Sequence, residues 1–371
     1  METPIHTLHV DTERTWRGGE QQALYLALGL KARGHVAEVV GHPGCDFVHR
    51  SRKAGLTAHE VGMRGELNPV AVMRIARLLR SGRFQIIHAH TSHAHTLAAL
   101  AASLAPETRC VVSRRVDFKV RKGRFHFNRI KYRFGVDRYL AISDAVREVL
   151  LEGGVPSRKI HVVRSGIDLT RLETADPAPL REEFGLVRGA ETVGAVAHFA
   201  WHKGLEVLID AIPEVVAARP ATRFFLVGTG ELAGELKQRA RARAPEGTVI
   251  FPGFREDAPS FLRLFDVVAA PSFMEGLNTT NLDALGLARP VVASDVGGIS
   301  EAVVDGVTRL LVPARDPHAL SMAILRLLED RPLARRLGEA GRRLVREKFS
   351  TDSMVEGTLD AYRAVLNGVT C

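Results

Sequence analysis

The pattern that most limits the fold is an alternation, made twice along the chain, between short β-rich runs and segments of helical periodicity. The first series holds "IHTLHV", "HVAEVVG", "FQIIHAH", "RCVVS" and "RYLAIS", separated by stretches such as "EQQALYLALGLKARG". The second opens at "GAETVGAVAHF" and runs through "TRFFLVG", "GTVIFPG", "FDVVAAPS", "RPVVASD" and "TRLLVPA". Parallel strands need long crossovers, and helices fill them, so this alternation predicts a parallel sheet covered by helices. The chain is expected to be α/β, with two doubly wound units in sequence. Between them, "DLTRLETADPAPLREEFGLVRGAE", with Pro177 and Pro179, reads as a connection. A length of 371 residues suffices for two cores of ordinary size.

Composition narrows the class. With 46% hydrophobic and 25% charged residues the chain is not a disordered one. Its net charge of +9 is uneven: residues 1–170 carry 27 Lys+Arg against 15 Asp+Glu, the remainder 24 against 27. The basic half is expected to meet an anionic surface or substrate. Cys45, Cys110 and Cys371 are far apart and lack metal or redox spacing, which points to reduced thiols and a cytoplasmic protein. No run approaches the ~18 apolar residues of a membrane span, and "METPIHTLHV" lacks the pattern of an export signal.

In open α/β sheets ligands sit beyond the carboxyl ends of the strands, so two units facing each other would make a cleft and the chemistry should lie at strand ends. The stretch "PSFMEGLNTTNLDALGLARPVV" is such a place. A strand gives way to a helix expected to begin near Thr280, to carry Leu282 and Leu285 inward and to end before Arg289-Pro290. Its free N–H groups would attract phosphate or carboxylate. Thr280 and Asp283 could equally form a capping box that satisfies the same donors. After the first strand, Gly18-Gly19 permit close approach to a ligand at a helix opening near Glu20, or form a plain turn. In "VAHFAWHKGLEVLIDAI", His198 and Lys203 precede a helix, where a lysine is a phosphate partner or a solvated side chain.

Two further segments stand out. "IIHAHTSHAHTLAAL" sets His88 and His90 at a strand end and His93 and His95 beyond; with no third ligand implied, a metal is not expected, and one histidine is expected to face the cleft. Residues 113–138 hold ten Lys+Arg and only two acids, with Phe127, Ile130 and Phe134 at helical spacing. This pattern suits a basic amphipathic helix on an anionic membrane. The competing readings are a solvated helix packing its phenylalanines inward and, with no supporting motif, a nucleic-acid binder.

Together these pieces resemble glycosyltransferase family 4, a large family of retaining enzymes with the GT-B fold of two facing Rossmann-like domains. The resemblance covers nearly the whole chain and rests on order: the Gly-Gly loop, "YLAISDAVREVLLEGGVPSRKIHVVRSGIDLTRL", "HFAWHKGLEVLIDA", "FLVGTGE", "FPGF", and "APSFMEGLNTTNLDALGLARPVVASDVGGISEAVVDG". It implies an acceptor-binding domain of residues 1–168, joined by a C-terminal helix of residues 352–371, and a donor-binding domain of residues 169–351. Glu275 would contact the donor sugar and Asp283 the ribose. Gly276, Leu277 and Asn278 would supply backbone groups to the diphosphate, Thr279 and Thr280 hydroxyls, and Gly18-Gly19 a close approach. Phe254 falls where the family seats the base, and Lys203 where it neutralises phosphate.

The chain departs from the family at three positions. The second acid is Asp283 where glutamate is usual, and His198 replaces the phosphate arginine. Arg114-Arg115 stand where many members have a catalytic histidine. Arginine stays protonated and cannot be a base, so Arg115 is assigned an electrostatic role towards donor phosphate or an anionic acceptor, with His90 and His93 as candidates for the histidine role. The implied activity is retaining transfer from a UDP- or GDP-sugar to a saccharide or lipid-linked acceptor of lipopolysaccharide or polysaccharide assembly, at the inner membrane face and without a metal. A nucleotide-sugar epimerase and a non-catalytic nucleotide-sugar binder are the alternatives.

Overall fold

The computed structural model describes residues 3–116, 132, 135–187, 189–297 and 306–368. It divides into two compact units. Unit 1 is Met1–Gly166 with Thr351–Cys371, and unit 2 is Ile167–Ser350.

Unit 1 is built on strands β1 (His6–Val10), β2 (Val36–Gly41), β3 (Ala58–Glu60), β4 (Ile86–Ala89), β5 (Arg109–Arg114), β6 (Arg138–Ala141) and β7 (Ile160–Val162), in the order β3-β2-β1-β4-β5-β6-β7. Unit 2 uses β8 (Thr192–Val196), β9 (Arg223–Val227), β10 (Val249–Gly253), β11 (Val267–Ala270), β12 (Val291–Ser294) and β13 (Leu310–Val312), in the order β10-β9-β8-β11-β12-β13. β1 pairs with β4 and β8 with β11 in parallel register. The alternation in the sequence thus becomes two parallel sheets. β3 and β7 were not among the expected strands, since His59 and His161 interrupt their apolar runs after one residue, whereas the equally short β13 is apolar throughout.

Each sheet reverses its winding once, between β1 and β4 in unit 1 and between β8 and β11 in unit 2. At such a switch point neighbouring loops leave in opposite directions and open a crevice beyond the carboxyl ends of the strands.

The cores follow from the apolar faces. In unit 2, Val193, Phe224, Leu226, Val267 and Val292 meet Leu208, Ile212, Ile324 and Leu337 from the covering helices. Each such side chain contributes about 1.5–3 kcal/mol when removed from water. In unit 1, Leu26, Leu30, Val39, Ile86 and Val111 pack with Val355, Leu359 and Tyr362 of the C-terminal helix Thr351–Leu366. That helix approaches helix Gly18–Ala32 so closely that a side chain at Gly29 would collide with Val355.

The segment expected to be a plain connection instead forms helices Leu169–Glu173 and Ala178–Glu183, with Leu172 and Leu180 buried. Pro179 lies in the first turn of the second, where its missing N–H costs nothing. Of the basic segment, residues 117–131 and 133–134 lie outside the described residues, and with them the amphipathic helix read from Phe127, Ile130 and Phe134. Cys45 and Cys110 are buried free thiols. Among the described residues no helix is long and apolar enough to cross a membrane.

Candidate functional site

At the β8/β11 switch point the chain after β8 forms a 3-10 turn, Trp201–Lys203, and enters helix Leu205–Ala218 through Gly204. Gly204 has φ +59°, and a Cβ there would run into the carbonyl oxygen of Pro271, so only glycine lets this loop lie against the end of β11. The His202 carbonyl then accepts the Phe273 N–H at 2.8 Å. These contacts bring Lys203 to the loop that carries Glu275.

Lys203 Nζ donates to Glu275 Oε2 at 2.5 Å, with the side chains only 18% and 12% exposed. Asn278 Nδ2 donates to the same oxygen at 3.2 Å. The other end of that amide caps helix Thr279–Gly286, its Oδ1 accepting the Asn281 N–H at 3.1 Å. The capping box read from Thr280 and Asp283 therefore does not form, because the N-cap falls two residues before Thr280, at Asn278, whose side chain already meets a free donor. Leu282 and Leu285 are buried, and Gly276 and Leu277 lie buried in the loop before the cap. A small pocket is lined by Ala197, Lys203, Ser272, Asn278, Thr280 and Asn281, and the buried Nδ2 of Asn281 has no hydrogen-bond partner.

Asp283 is turned to Arg171, whose Nη2 donates to Oδ2 at 2.5 Å. Its Oδ1 is buried with no partner. Burial pushes the carboxyl pKa up, and Arg171 pulls it back. Arg171 comes from the segment read as a connection, and no local pattern marked it. His198 stands apart, its Nε2 lying 3.2 Å from Glu231 after β9. Phe254, after β10, is 56% exposed.

Unit 1 gathers a different set of groups at its own switch point. Helix Gly18–Ala32 begins at Gly18 rather than Glu20, and the Glu20 side chain folds back to accept the Arg17 N–H at 2.7 Å. Gly18 and Gly19 thus form the first helical turn, with Arg115 Cδ 3.9 Å from the place of a Cβ on Gly19. The two histidine candidates separate. His93 is 58% exposed beside Glu66, whereas His90 is buried with its Nδ1 3.4 Å from Arg115 Nη2.

His90 belongs to a buried trio with His9 and His88, whose ligating atoms lie within 4.8 Å of one another. His9, from β1, is the third imidazole that the spacing of His88 and His90 could not reveal, because it comes from a neighbouring strand. His9 Nδ1 and His90 Nε2 are 3.0 Å apart, and His9 Nε2 is 3.1 Å from the Thr7 hydroxyl. His88 contacts Tyr362 at 2.6 Å and Ser113 at 2.8 Å. Every ring nitrogen of the trio has a hydrogen-bond neighbour, so these residues do not need an ion to hold them. Burial drives the His9 pKa down to about 3 and lowers those of His88 and His90, keeping all three neutral.

Asp11 follows β1, fully buried, and burial with the nearby Glu20 pushes its carboxyl up to about 8. Burial lowers the Arg115 pKa to about 10, while Asp11 and Glu20 oppose the shift. Thr12 and Thr91 join hydroxyls at 2.6 Å across the same strand ends. None of Asp11, Thr12, Glu20 or Thr91 belongs to a motif, and only their place after β1 and β4 could have flagged them.

Residues 16–171 match the model of Glycosyltransferase Family 4, and residues 190–330 that of Glycosyl transferases group 1. The chain is 33% identical over 306 residues to a D-inositol 3-phosphate glycosyltransferase of Nocardia farcinica, covering 76% of this chain and 62% of the relative. It is 34% identical over 249 residues to an alpha-maltose-1-phosphate synthase of Mycolicibacterium smegmatis, covering 62% of this chain and 63% of the relative. The match thus spans about six tenths of the length of these two curated relatives. Among solved structures, Anabaena HepE in complex with UDP-glucose superposes with TM-score 0.86 at 22% identity, covering 97% of this chain and 100% of that one. A glycosyltransferase from Rickettsia africae superposes with TM-score 0.85 at 19% identity, over 98% and 99% of the two chains.

Proposed function

Because the chain belongs to glycosyltransferase family 4 and has the GT-B fold of two Rossmann-like domains, we propose that it transfers a sugar from a nucleoside diphosphate to an acceptor hydroxyl with retained anomeric configuration. The observation that carries this reading is the Lys203–Glu275 pair at the β8/β11 switch point, beside the start of helix Thr279–Gly286. A cation, free backbone donors and a carboxylate in one crevice match a diphosphate and a polyol in one ligand. Anabaena HepE has been crystallised with UDP and with UDP-glucose, which supports a UDP-sugar as the donor to try first.

Each residue then has a task. The diphosphate binds at the N–H groups of residues 276–280 and draws the Lys203 ammonium to its oxygens. Glu275, released from that lysine, accepts hydrogen bonds from the donor sugar. Asp283 keeps one oxygen on Arg171 and offers the other, now without a partner, to a ribose hydroxyl. As the glycosidic bond to phosphate breaks, negative charge grows on the leaving oxygen. Lys203 and the helix N-terminus stabilise it, which lowers the barrier without a metal. His198 stands at the phosphate-arginine position and, turned from Glu231, adds a hydrogen bond to a phosphate oxygen. The acceptor is assigned to basic unit 1 as an anionic or lipid-linked envelope saccharide at the inner face of the membrane, with residues 113–138 as the membrane contact.

The test is incubation with a panel of UDP- and GDP-sugars, reading nucleoside diphosphate release and product configuration by NMR. Release with a retained anomer is expected. Acceptor-independent interconversion of the donor would mark an epimerase instead, and binding with no turnover a non-catalytic binder.

A further inference from the structure

Arg315 of unit 2 holds a backbone conformation that glycine would adopt more easily. Among the described residues, the other non-glycine residues with positive φ are Arg83 and Ala288. Both directly follow the C-caps of helices, Pro69–Ser81 and Thr279–Gly286, where a left-handed residue is an ordinary way to end a helix. Arg315, at φ +64°, ends no helix. It lies between β13 and Asp316, whose side chain caps helix Pro317–Glu329 by accepting the Ala319 N–H at 2.9 Å. An arginine is strained at this φ and a glycine is not. Such strain persists where the surrounding structure fixes it, and it collects at functional sites.

The exposed guanidinium lies over the ring of Phe273, its Cζ 4.0 Å from the centroid. Among the described residues it forms no ion pair, so the ring face is what holds its charge in place. Phe273 in turn meets the loop of Lys203. Its Cε1 stands 2.9 Å from the place of a Cβ on Gly204, and its N–H donates to the His202 carbonyl at 2.8 Å. Two residues further on is Glu275, bound to Lys203. Phe273 is thus gripped from two loops, by a cation over its face and by a bare glycine against its edge. The geometry points to Arg315 as a positioning residue: by fixing the Phe273 ring where it meets Gly204, it holds Lys203 and Glu275 at the β8/β11 switch point. That these two residues serve a sugar nucleotide rests on the transfer reading, whereas the grip on Phe273 does not.

The test replaces Phe273 of the full chain by its mono-, di- and trifluorinated analogues, with Arg315 kept and with Arg315→Met. Fluorine withdraws charge from the ring face while nearly keeping its shape, so a cation–π contact weakens stepwise and plain packing does not. Two amides are read by hydrogen exchange with no nucleotide present: Phe273, and Lys203, whose N–H donates to the Ala200 carbonyl at 3.0 Å. Both should exchange faster with each added fluorine, by about two- to fivefold over the series, and only where Arg315 is kept. UDP affinity by calorimetry should fall by a similar factor. The inference is overturned if the series is flat, if it rises equally with Arg315→Met, or if Phe273 responds and Lys203 does not. It also fails if the amides respond while UDP, bound by the wild type, keeps its affinity throughout the series. Responding amides in a chain that takes no UDP keep the inference and lose the donor reading; UDP bound with flat amides does the reverse. Should Arg315→Met not fold, Arg315→Gly, which relieves the backbone, takes its place.

Discussion

Arg171 and Asp283 lie 112 residues apart and share a hydrogen bond of 2.5 Å, which ties a short helix at the start of unit 2 to the helix that closes its crevice. Asp283 is thereby oriented, drawn towards its ionised form against the burial that raises its pKa, and left with one oxygen for a ligand. Removing the cation strands a largely buried carboxylate. Arg171→Met is expected to destabilise unit 2 by about 2–3 kcal/mol, below the value for a fully buried pair because Arg171 is 30% exposed. Arg171 favours the ionised form of Asp283, so the loss should be full at pH 8 and shrink as acid protonates the carboxyl. Urea midpoints at pH 5 and 8 check this, and an equal loss at both would separate Arg171 from the charge of Asp283.

Glu275 and Asp283 should fail in different ways. Glu275→Ala is expected to lower turnover by about 10² or more if it orients the reacting sugar, with nucleotide affinity less affected. Asp283→Ala should act chiefly on donor affinity. Steady-state kinetics with calorimetric UDP titrations distinguish them, and normal behaviour of both variants would mean that the site is elsewhere.

Gly204→Ala tests the loop that delivers Lys203. The left-handed φ and the Pro271 carbonyl leave no room for a methyl group, so the loop must move. A stability loss above about 2 kcal/mol is expected, together with weaker UDP binding. A melting temperature and UDP affinity equal to wild type would show that the loop is not held in this way.

The polar interior of unit 1 predicts a stability maximum near neutrality. His9, His88 and His90 have folded pKa values below their ordinary 6.5, so the stability of their neutral forms is present above 6.5 and lost as pH falls. Asp11 works in the opposite sense. Its pKa rises from 3.8 to about 8, so its contribution is full at low pH and is lost as pH rises towards 8. With three imidazoles against the carboxyls of Asp11 and Glu20, whose pKa burial also raises, unit 1 should weaken below pH 6.5 and, more gently, between 6.5 and 8. Asp11→Asn should flatten the second slope and steepen the first, because Asp11 opposes the imidazoles from 3.8 up to about 8. Hydrogen exchange of the β1 and β4 amides reads it, and an unchanged slope in the variant would assign that slope to other groups.

Chelation offers a simple check on the charge argument. If Lys203 and the helix N-terminus neutralise the diphosphate, transfer should proceed at the same rate with excess EDTA. Loss of activity, restored by a divalent ion, would require a metal in the step.

The two parallel sheets were legible because eleven strands carry an apolar run that shows, even the short β13, whereas His59 and His161 interrupt β3 and β7 after one residue. The motif around Glu275 pointed to a crevice, but not to Asn278, which caps the helix with one end of its amide and holds Glu275 with the other. Arg171 was hidden in a stretch whose prolines read as a break, although Pro179 sits where a helix tolerates it. The spacing of His88 and His90 suggested a pair, and only the register of β1 against β4 adds His9.

What the sequence determined by itself is periodic and local: where strands and helices run, which glycines and polar residues mark their ends, and hence the class of fold. Tertiary structure decided which of those ends meet. Lys203 reaches Glu275, Arg171 reaches Asp283, and Arg115 reaches His90 across separations that no local pattern encodes. The physical reason is that hydrophobic periodicity acts over a few residues, whereas the pairing and protonation of a buried charge depend on every group that packing brings within a few ångströms of it.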